Sequence, residues 1–202
     1  MRPDRTMNFE RWRHYARGWL FHFAGNTEKA YQSYVAAFRQ DPQDIQSARH
    51  LAFIATERKR YDAAEEWFLQ ALRIDPKDAA THFNLGYARE QAGRRREAIE
   101  SFRDAVRLQP NLDRAWYGLG LALAGLGEHA QAVEAFAEAA RLQPMNGEAY
   151  YQLGMARHHA GMRDATRETV EKLVAFDPKR ARQLVRDSGR EDLAALIPQL
   201  PF

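Results

Sequence analysis

The chain has 202 residues, of which 45% are hydrophobic and 28% charged, so it can bury a core and keep a solvated surface. Thirty basic and 27 acidic residues leave a formal net charge of only +3, a balance that argues against a polyanion-binding surface. There is no cysteine, which excludes disulfide frameworks, thiolate metal sites and cysteine nucleophiles.

The chain begins with a segment that resembles neither a membrane span nor an export signal. Mean hydropathy is -0.64, and no apolar run approaches the roughly 20 residues that a bilayer requires. The two N-terminal arginines are not followed by an apolar segment, so we expect no secretory signal and a cytoplasmic location. Residues 1–10 are predicted to form an N-terminal extension that is partly disordered.

From residue 11 onward the chain repeats itself. Proline recurs at a constant spacing of 34 residues, at Pro42, Pro76, Pro110, Pro144 and Pro178. The blocks defined by this period are 11–44, 45–78, 79–112, 113–146 and 147–180. A fixed period of this length is typical of repeat proteins built from one supersecondary unit.

Other positions recur inside the blocks, each for a steric reason. Position eight is small in every block, and four blocks have a glycine midway, where one helix can end and the chain can turn. Proline then ends the second helix. Each block is therefore predicted to form helix A, a turn, helix B and a second turn. Gly120 and Ala132 are expected to face each other where the helices of the fourth block cross.

The repeat resembles the tetratricopeptide family, most clearly in block 113–146. The matching residues there are Trp116, Leu119, Gly120, Gly127, Ala132, Phe136, Ala139 and Pro144. The resemblance implies an all-α, right-handed superhelical solenoid of five helix-turn-helix repeats over 11–180, with the A helices lining a concave wall. Residues 181–202 are predicted to form a C-terminal capping helix and an extended tail. The capping helix is expected over about 179–188, a short helix over 191–197, and the tail over 198–202.

One face of the A helices is the candidate binding surface. Positions two, five, six, nine, twelve and thirteen share an arc, which the resemblance makes the concave wall. Aromatic residues alternate there with arginine and amide side chains, a composition typical of protein-binding surfaces. The candidate groove residues are Trp12, Tyr15, Trp19, Arg49, Phe53, Phe83, Asn84, Tyr87, Arg114, Tyr117 and Tyr151. Alternatively, the aromatics at position five serve packing between neighbouring repeats.

Part of this face is similar to a carboxylate clamp that some family members use to hold a peptide terminus. Arg49, Asn84 and Arg114 match three of its five positions in type, whereas Phe53 and Gly118 depart from it. The resemblance therefore favours a partner segment with acidic groups, without establishing terminal-carboxylate binding.

The sequence contains no recognisable catalytic motif. There is no glycine-rich phosphate loop, nucleophile elbow or His-Glu metal motif, and the adjacent His158 and His159 diverge on a helix. Glu65 and Glu66 are expected on a solvated helix face, and Arg94 to Arg96 in a solvated turn. We therefore expect no enzyme activity, cofactor or metal, no nucleic-acid partner and no membrane insertion.

The predicted function is that of a non-catalytic adaptor or scaffold, expected to serve as an assembly factor. It would bind an extended or helical segment of another protein in the concave groove. The alternative is a self-assembling homo-oligomeric scaffold, in which the ends of the solenoid or its tail bind another copy.

Overall fold

The structure, a computed structural model, describes residues 9–198. Within this range the chain forms only helices, which confirms the predicted all-α class. The helices are α1 (Phe9–Phe23), α2 (Thr27–Gln40), α3 (Ile45–Glu57), α4 (Tyr61–Ile74), α5 (Ala79–Gln91), α6 (Arg95–Leu108), α7 (Asp113–Gly125), α8 (His129–Leu142), α9 (Gly147–His159), α10 (Arg163–Phe176), α11 (Pro178–Asp187) and the 3₁₀-helix η1 (Glu191–Leu196). No helix in the described range is both long and apolar enough to cross a membrane.

The helices form two compact units, Met1–Arg94 and Arg95–Phe202. The first contains α1 to α5, and each of these helices packs on the next. The second contains α6 to α11 and η1, again with consecutive helices in contact. The boundary lies inside the third block, between its A helix and its B helix.

Local signals explain where the helices begin and turn. Asp44 and Asp78 each accept hydrogen bonds from two backbone N–H groups in the first turn of the helix that follows, which satisfies otherwise unpaired donors. The midway glycines turn the chain with positive φ, for example 79° at Gly93 and 78° at Gly127. Lys59 replaces glycine in the second block and adopts the same left-handed region, with φ 57°.

In the first and fourth blocks the glycine at position eight makes room for the large side chain at position 24, whereas Gly154 of the fifth block makes room for Leu184 of α11. A Cβ on Gly120 would lie 2.6 Å from two ring atoms of Phe136, and one on Gly18 would lie 2.8 Å from the Tyr34 ring. The three atoms nearest to such a Cβ on Gly120 all belong to Phe136, so this ring fills the space beside Gly120, and the approach of Gly120 to Ala132 stays a prediction. Ala132 is itself fully buried.

The C-terminal end of the second unit is covered by the helix expected there. This helix, α11, begins and ends within one residue of the predicted limits, and η1 corresponds to the short helix predicted over 191–197. Leu184 of α11 and Leu193 of η1 are buried against α10, in a cluster with Val170 and Leu173. The predicted tail from residue 199 onward lies outside the described residues.

The N-terminal end differs from its prediction at one point. The block boundaries place Phe9 and Glu10 in the N-terminal extension, but both belong to α1. The rest of that extension, residues 1–8, lies outside the described residues.

The acidic pair on α4 is not uniformly solvated, contrary to the prediction. The Glu65 side chain is only 16% exposed and accepts hydrogen bonds from two guanidinium groups. Arg89 donates to Oε1 at 2.6 Å and Arg94 to Oε2 at 2.6 Å. Arg94 also pairs with Asp62, so this arginine of the predicted solvated turn is tied to α4. Glu66 is exposed, as expected.

Candidate functional site

In the first unit, the candidate surface is an exposed row of aromatic side chains. Trp19, Phe53 and Tyr87 occupy position nine of the first three blocks, on α1, α3 and α5, and they are 53%, 50% and 46% exposed. Trp12, about two helical turns before Trp19, is 51% exposed. About half of each of these aromatic side chains remains exposed, so that part of its apolar surface is available for an incoming partner.

Tyr15, at position five, is arranged differently. It is half-buried, and its hydroxyl shares a 3.0 Å hydrogen bond with His50 Nε2 on α3. The His50 ring stacks on the buried Tyr34, with ring centroids 4.6 Å apart. Tyr15 therefore joins successive A helices, as the packing alternative for position five expects.

Arg49 contacts an acidic group of its own unit. Its Nη1 lies 3.3 Å from Oδ2 of Asp78, the residue that caps α5. Phe83 and Asn84 follow on α5, and both are partly buried. The positive charge of Arg49 is thus partly balanced, so an acidic ligand would have to compete with or join this ion pair.

In the second unit, the corresponding surface is a polar network. The Tyr117 hydroxyl donates to Glu148 Oε1 at 3.4 Å, and Glu148 also pairs with Arg180. The Tyr151 hydroxyl donates to Asp187 Oδ2 at 2.9 Å, and the Arg180 guanidinium lies over the Tyr151 ring. Both tyrosines therefore contact the helix that comes next on this side of the stack.

Burial sets the acidity of these tyrosines. The pKa of Tyr117 is raised to about 12, first by burial and then by the nearby Glu148 carboxylate. The pKa of Tyr151 is also raised, by burial and by its bond to Asp187. Conversely, the hydrogen bond from Tyr151 lowers the pKa of Asp187. The two hydroxyls stay protonated and act as donors near neutral pH.

Arg114 is exposed on α7 of the second unit. Its predicted companions in the clamp, Arg49 and Asn84, belong to the first unit. The three-residue clamp therefore remains a prediction.

His50 and Glu148 occupy wall positions that the repeat predicts, six and two, but neither is among the candidate groove residues. His50, Glu148 and Arg180 each bond to a candidate tyrosine or lie over its ring, and Asp187 does so from the capping helix. The sequence did mark the contact of His50 weakly: Tyr34, on which His50 stacks, carries a hydroxyl where blocks two to four have phenylalanine. Asp187 gave no such signal, because it lies beyond the last repeat.

The described residues contain no group of three or more histidine, cysteine or acidic side chains that could hold a metal ion. The rings of His158 and His159 lie edge to face, with centroids 5.2 Å apart. His159 also stacks on His129 of α8, at 4.9 Å, a contact between helices that the sequence did not predict.

We expect the stability of the first unit to depend on pH through His50. Burial lowers the pKa of His50, and His22 and Arg49 lower it further, against a smaller opposite effect of Asp44. Folding therefore favours the neutral ring. The stability that this ring contributes is fully present above the ordinary histidine pKa of about 6.5. It is lost as the pH falls below that value and through the lowered pKa of the folded chain.

Urea unfolding at about pH 7.5 and about pH 5, on either side of that ordinary value, measures this effect. His50→Gln should lose less stability on acidification than the wild-type chain. His82→Gln is the control, because His82 bonds to the Pro76 carbonyl outside this cluster. An unchanged pH dependence in His50→Gln would contradict the role given to His50.

Comparison with family models identifies the repeat as the tetratricopeptide repeat. Two family models, both described as tetratricopeptide repeat, match the chain: one at residues 83–146 and 123–181, the other at 43–111. Among curated proteins no match is found. The matched segments together run from residue 43 to residue 181, so they include most of the repeated blocks.

Solved structures resemble the chain over most of its length. The crystal structure of MamA protein is 22% identical, with a TM-score of 0.77 over 96% of this chain and 100% of that one. MamA residues 41 to the end, from Desulfovibrio magneticus RS-1, are 19% identical, with a TM-score of 0.75 over 90% and 98%. YrrB, described as a TPR protein with an unusual peptide-binding site, is 20% identical, with a TM-score of 0.74 over 86% and 90%. At such identities the likeness establishes the fold alone.

Proposed function

Because the chain belongs to the tetratricopeptide repeat family, we propose that it acts as a non-catalytic scaffold that binds a segment of a partner protein along its A helices. The observation that carries this proposal is the row formed by Trp19, Phe53 and Tyr87. These three side chains recur at one position of successive A helices, and about half of each is exposed.

Aromatic side chains in such a row suit a peptide ligand. They offer large apolar area, lose little conformational entropy on binding, and are enriched among residues that dominate binding energies. The repeats hold them on helices, so the ordering cost of capture falls mainly on the ligand. YrrB, a structural relative with a described peptide-binding site, supports the same use of the fold here.

The proposed partner segment is extended or helical and carries acidic groups. Arg114 is exposed, and Arg49 is about a third exposed beside Asp78. Hydrogen bonds between guanidinium and carboxylate groups are stronger than neutral ones, so each arginine favours an acidic side chain on its own unit, Arg49 on the unit that carries the aromatic row. A role in assembling a larger complex in the cytoplasm follows if the captured protein is a subunit of one.

The test begins with capture of the partner on the full-length chain, identification by mass spectrometry, and titration of the recovered segment. Phe53→Ala with Tyr87→Ala should weaken binding at least tenfold and leave the helical circular dichroism unchanged. Leu69→Ala is the matched control, because Leu69 is also exposed in the first unit but lies on a B helix, α4.

The acidic preference is tested separately. Arg114→Glu should weaken binding, and this loss of affinity should be smaller at high salt. Arg96→Glu, at an exposed position of α6, should have little effect on binding. For Arg49 the suitable change is Arg49→Gln, since a new carboxylate beside Asp78 would disturb the cap of α5. If Leu69→Ala or Arg96→Glu abolished binding and the A-helix variants bound normally, the proposed surface would be wrong.

A further inference from the structure

Helix α1 carries an apolar stripe that the described part of its own unit, residues 9–94, leaves largely exposed. Phe9, Trp12, Leu20 and Phe23 are 65%, 51%, 57% and 83% exposed, and Trp19 lies beside them at 53%. The opposite side of the helix is the one that packs inward, where Gly18 is buried against Tyr34. One fifteen-residue helix thus presents two tryptophans, two phenylalanines and a leucine to its surroundings.

The aromatic rings of the stripe contact one another without being buried. Phe9 stacks on Trp12 at 6.1 Å, and Trp19 stacks on Phe23 at 5.7 Å. Each of the four side chains nevertheless remains more than half exposed. Contiguous apolar surface of this kind marks an interaction site on a soluble protein.

The spacing of the stripe is symmetrical along the sequence. Phe9, Trp12, Ala16, Leu20 and Phe23 follow one another at intervals of three, four, four and three residues. If the helix is turned end over end about Ala16, Phe9 takes the place of Phe23, and Trp12 takes the place of Leu20. The smallest side chain lies at the centre, where two crossing helices approach most closely.

We propose that a second copy of this chain occupies the stripe, with the two α1 helices antiparallel and a two-fold axis passing at Ala16. A two-fold interface requires a surface that is complementary to itself, so that each contact occurs twice. The symmetrical stripe meets this requirement, since Phe9 meets Phe23 of the other copy and Trp12 meets its Leu20.

The area of the stripe suits a dimer of moderate affinity. A whole aromatic side chain buries about 150–250 Å², so the exposed parts of these five residues amount to about 600 Å² per chain. A standard interface buries roughly 800 Å² per partner. Phe53, which is half exposed and contacts His22 of α1, extends the apolar surface toward that value.

The charges beside the stripe favour a protein over a lipid surface. Glu10 and Arg13 form an ion pair at 2.6 Å, Arg17 is exposed nearby, and Glu57 pairs with His22 on the other side. Two acidic and two arginine side chains balance each other. Helices that bind anionic membranes instead combine an apolar face with a strongly basic polar face.

Dimerisation through α1 goes beyond partner capture, although the two surfaces share Trp12, Trp19 and Phe53. It is measured on the purified chain alone, so its failure is distinguishable from failure of peptide binding. Sedimentation of the full chain should show a dimer at micromolar concentration. Ala16→Glu places two carboxylates at the axis and should raise the dissociation constant at least a hundredfold. Leu20→Glu, at a more exposed position, should also raise the dissociation constant. Ala130→Glu, at an exposed position of α8, should leave the dimer intact.

The absence of cysteine allows a direct geometric test. Helix axes 8–10 Å apart, with Cα atoms about 2.3 Å from each axis, bring the two central Cα atoms to about 4–5 Å, within disulfide reach. Ala16→Cys should therefore form a disulfide between two chains under mild oxidation, and Ala130→Cys should not.

Three results would overturn the proposal. The first is a wild-type chain that stays monomeric at 100 µM. The second is a dimer that persists in both Ala16→Glu and Leu20→Glu and forms no disulfide in Ala16→Cys. The third is a monomer that binds vesicles of phosphatidylserine and phosphatidylcholine through the stripe, which would assign the surface to a membrane.

Discussion

Gly120→Leu should destabilise the second unit by about 3 kcal/mol, because it forces a large side chain into a fully packed helix crossing. Even a Cβ at this position would lie 2.6 Å from Cδ1 and Cε1 of Phe136, closer than real contacts allow. Phe136 is completely buried and meets Tyr117 edge to face, so its ring has little room to withdraw. Urea unfolding followed by circular dichroism measures the loss.

Two further variants show whether the ring is the cause. Ala130→Leu adds a similar side chain at an exposed position of α8 and should change stability by less than about 0.5 kcal/mol. Gly120→Ala combined with Phe136→Leu should cost less than the sum of the two single changes, because the smaller side chain makes room for the new Cβ. A Gly120→Leu chain that unfolds with the wild type would show that α7 and α8 do not pack in this register.

Glu65→Gln should lower the stability of the first unit by about 2 kcal/mol, the scale of hydrogen bonds to charged groups. The side chains of Glu65 and Arg89 are only 16% and 17% exposed, so little water is present to replace the lost carboxylate. Arg94 would lose the same partner and keep its more exposed ion pair with Asp62.

The neighbouring residue supplies the control for this variant. Glu66→Gln makes the same chemical change one position along α4, where the side chain is exposed, and should leave the free energy of unfolding almost unchanged. Equal losses in the two variants would mean that general charge balance, and not the bonds of Glu65, stabilises this region.

The sequence alone was sufficient to predict the family and the type, order and approximate limits of the helices. The reason is that helix-turn-helix repeats are specified locally: prolines 34 residues apart, midway glycines and small residues at position eight each act within one block. Even the second block, which lacks the glycine, turns at the expected place, because Lys59 accepts a left-handed conformation there. The aromatic side chains at position nine of the first unit are exposed, consistent with the helical phase used to predict the surface.

Only the tertiary structure decided the environments of individual side chains. The spacing could not distinguish Glu65 from Glu66, because the difference comes from Arg89 and Arg94 on a later part of the chain. Nor could it reveal that Arg49 pairs with Asp78, or that Tyr15 and Tyr151 each bond to a side chain two helices further along the chain. Periodicity specifies which face of a helix a residue occupies. The burial and charge of that residue depend on which side chains the neighbouring helices place against it, and these differ from block to block.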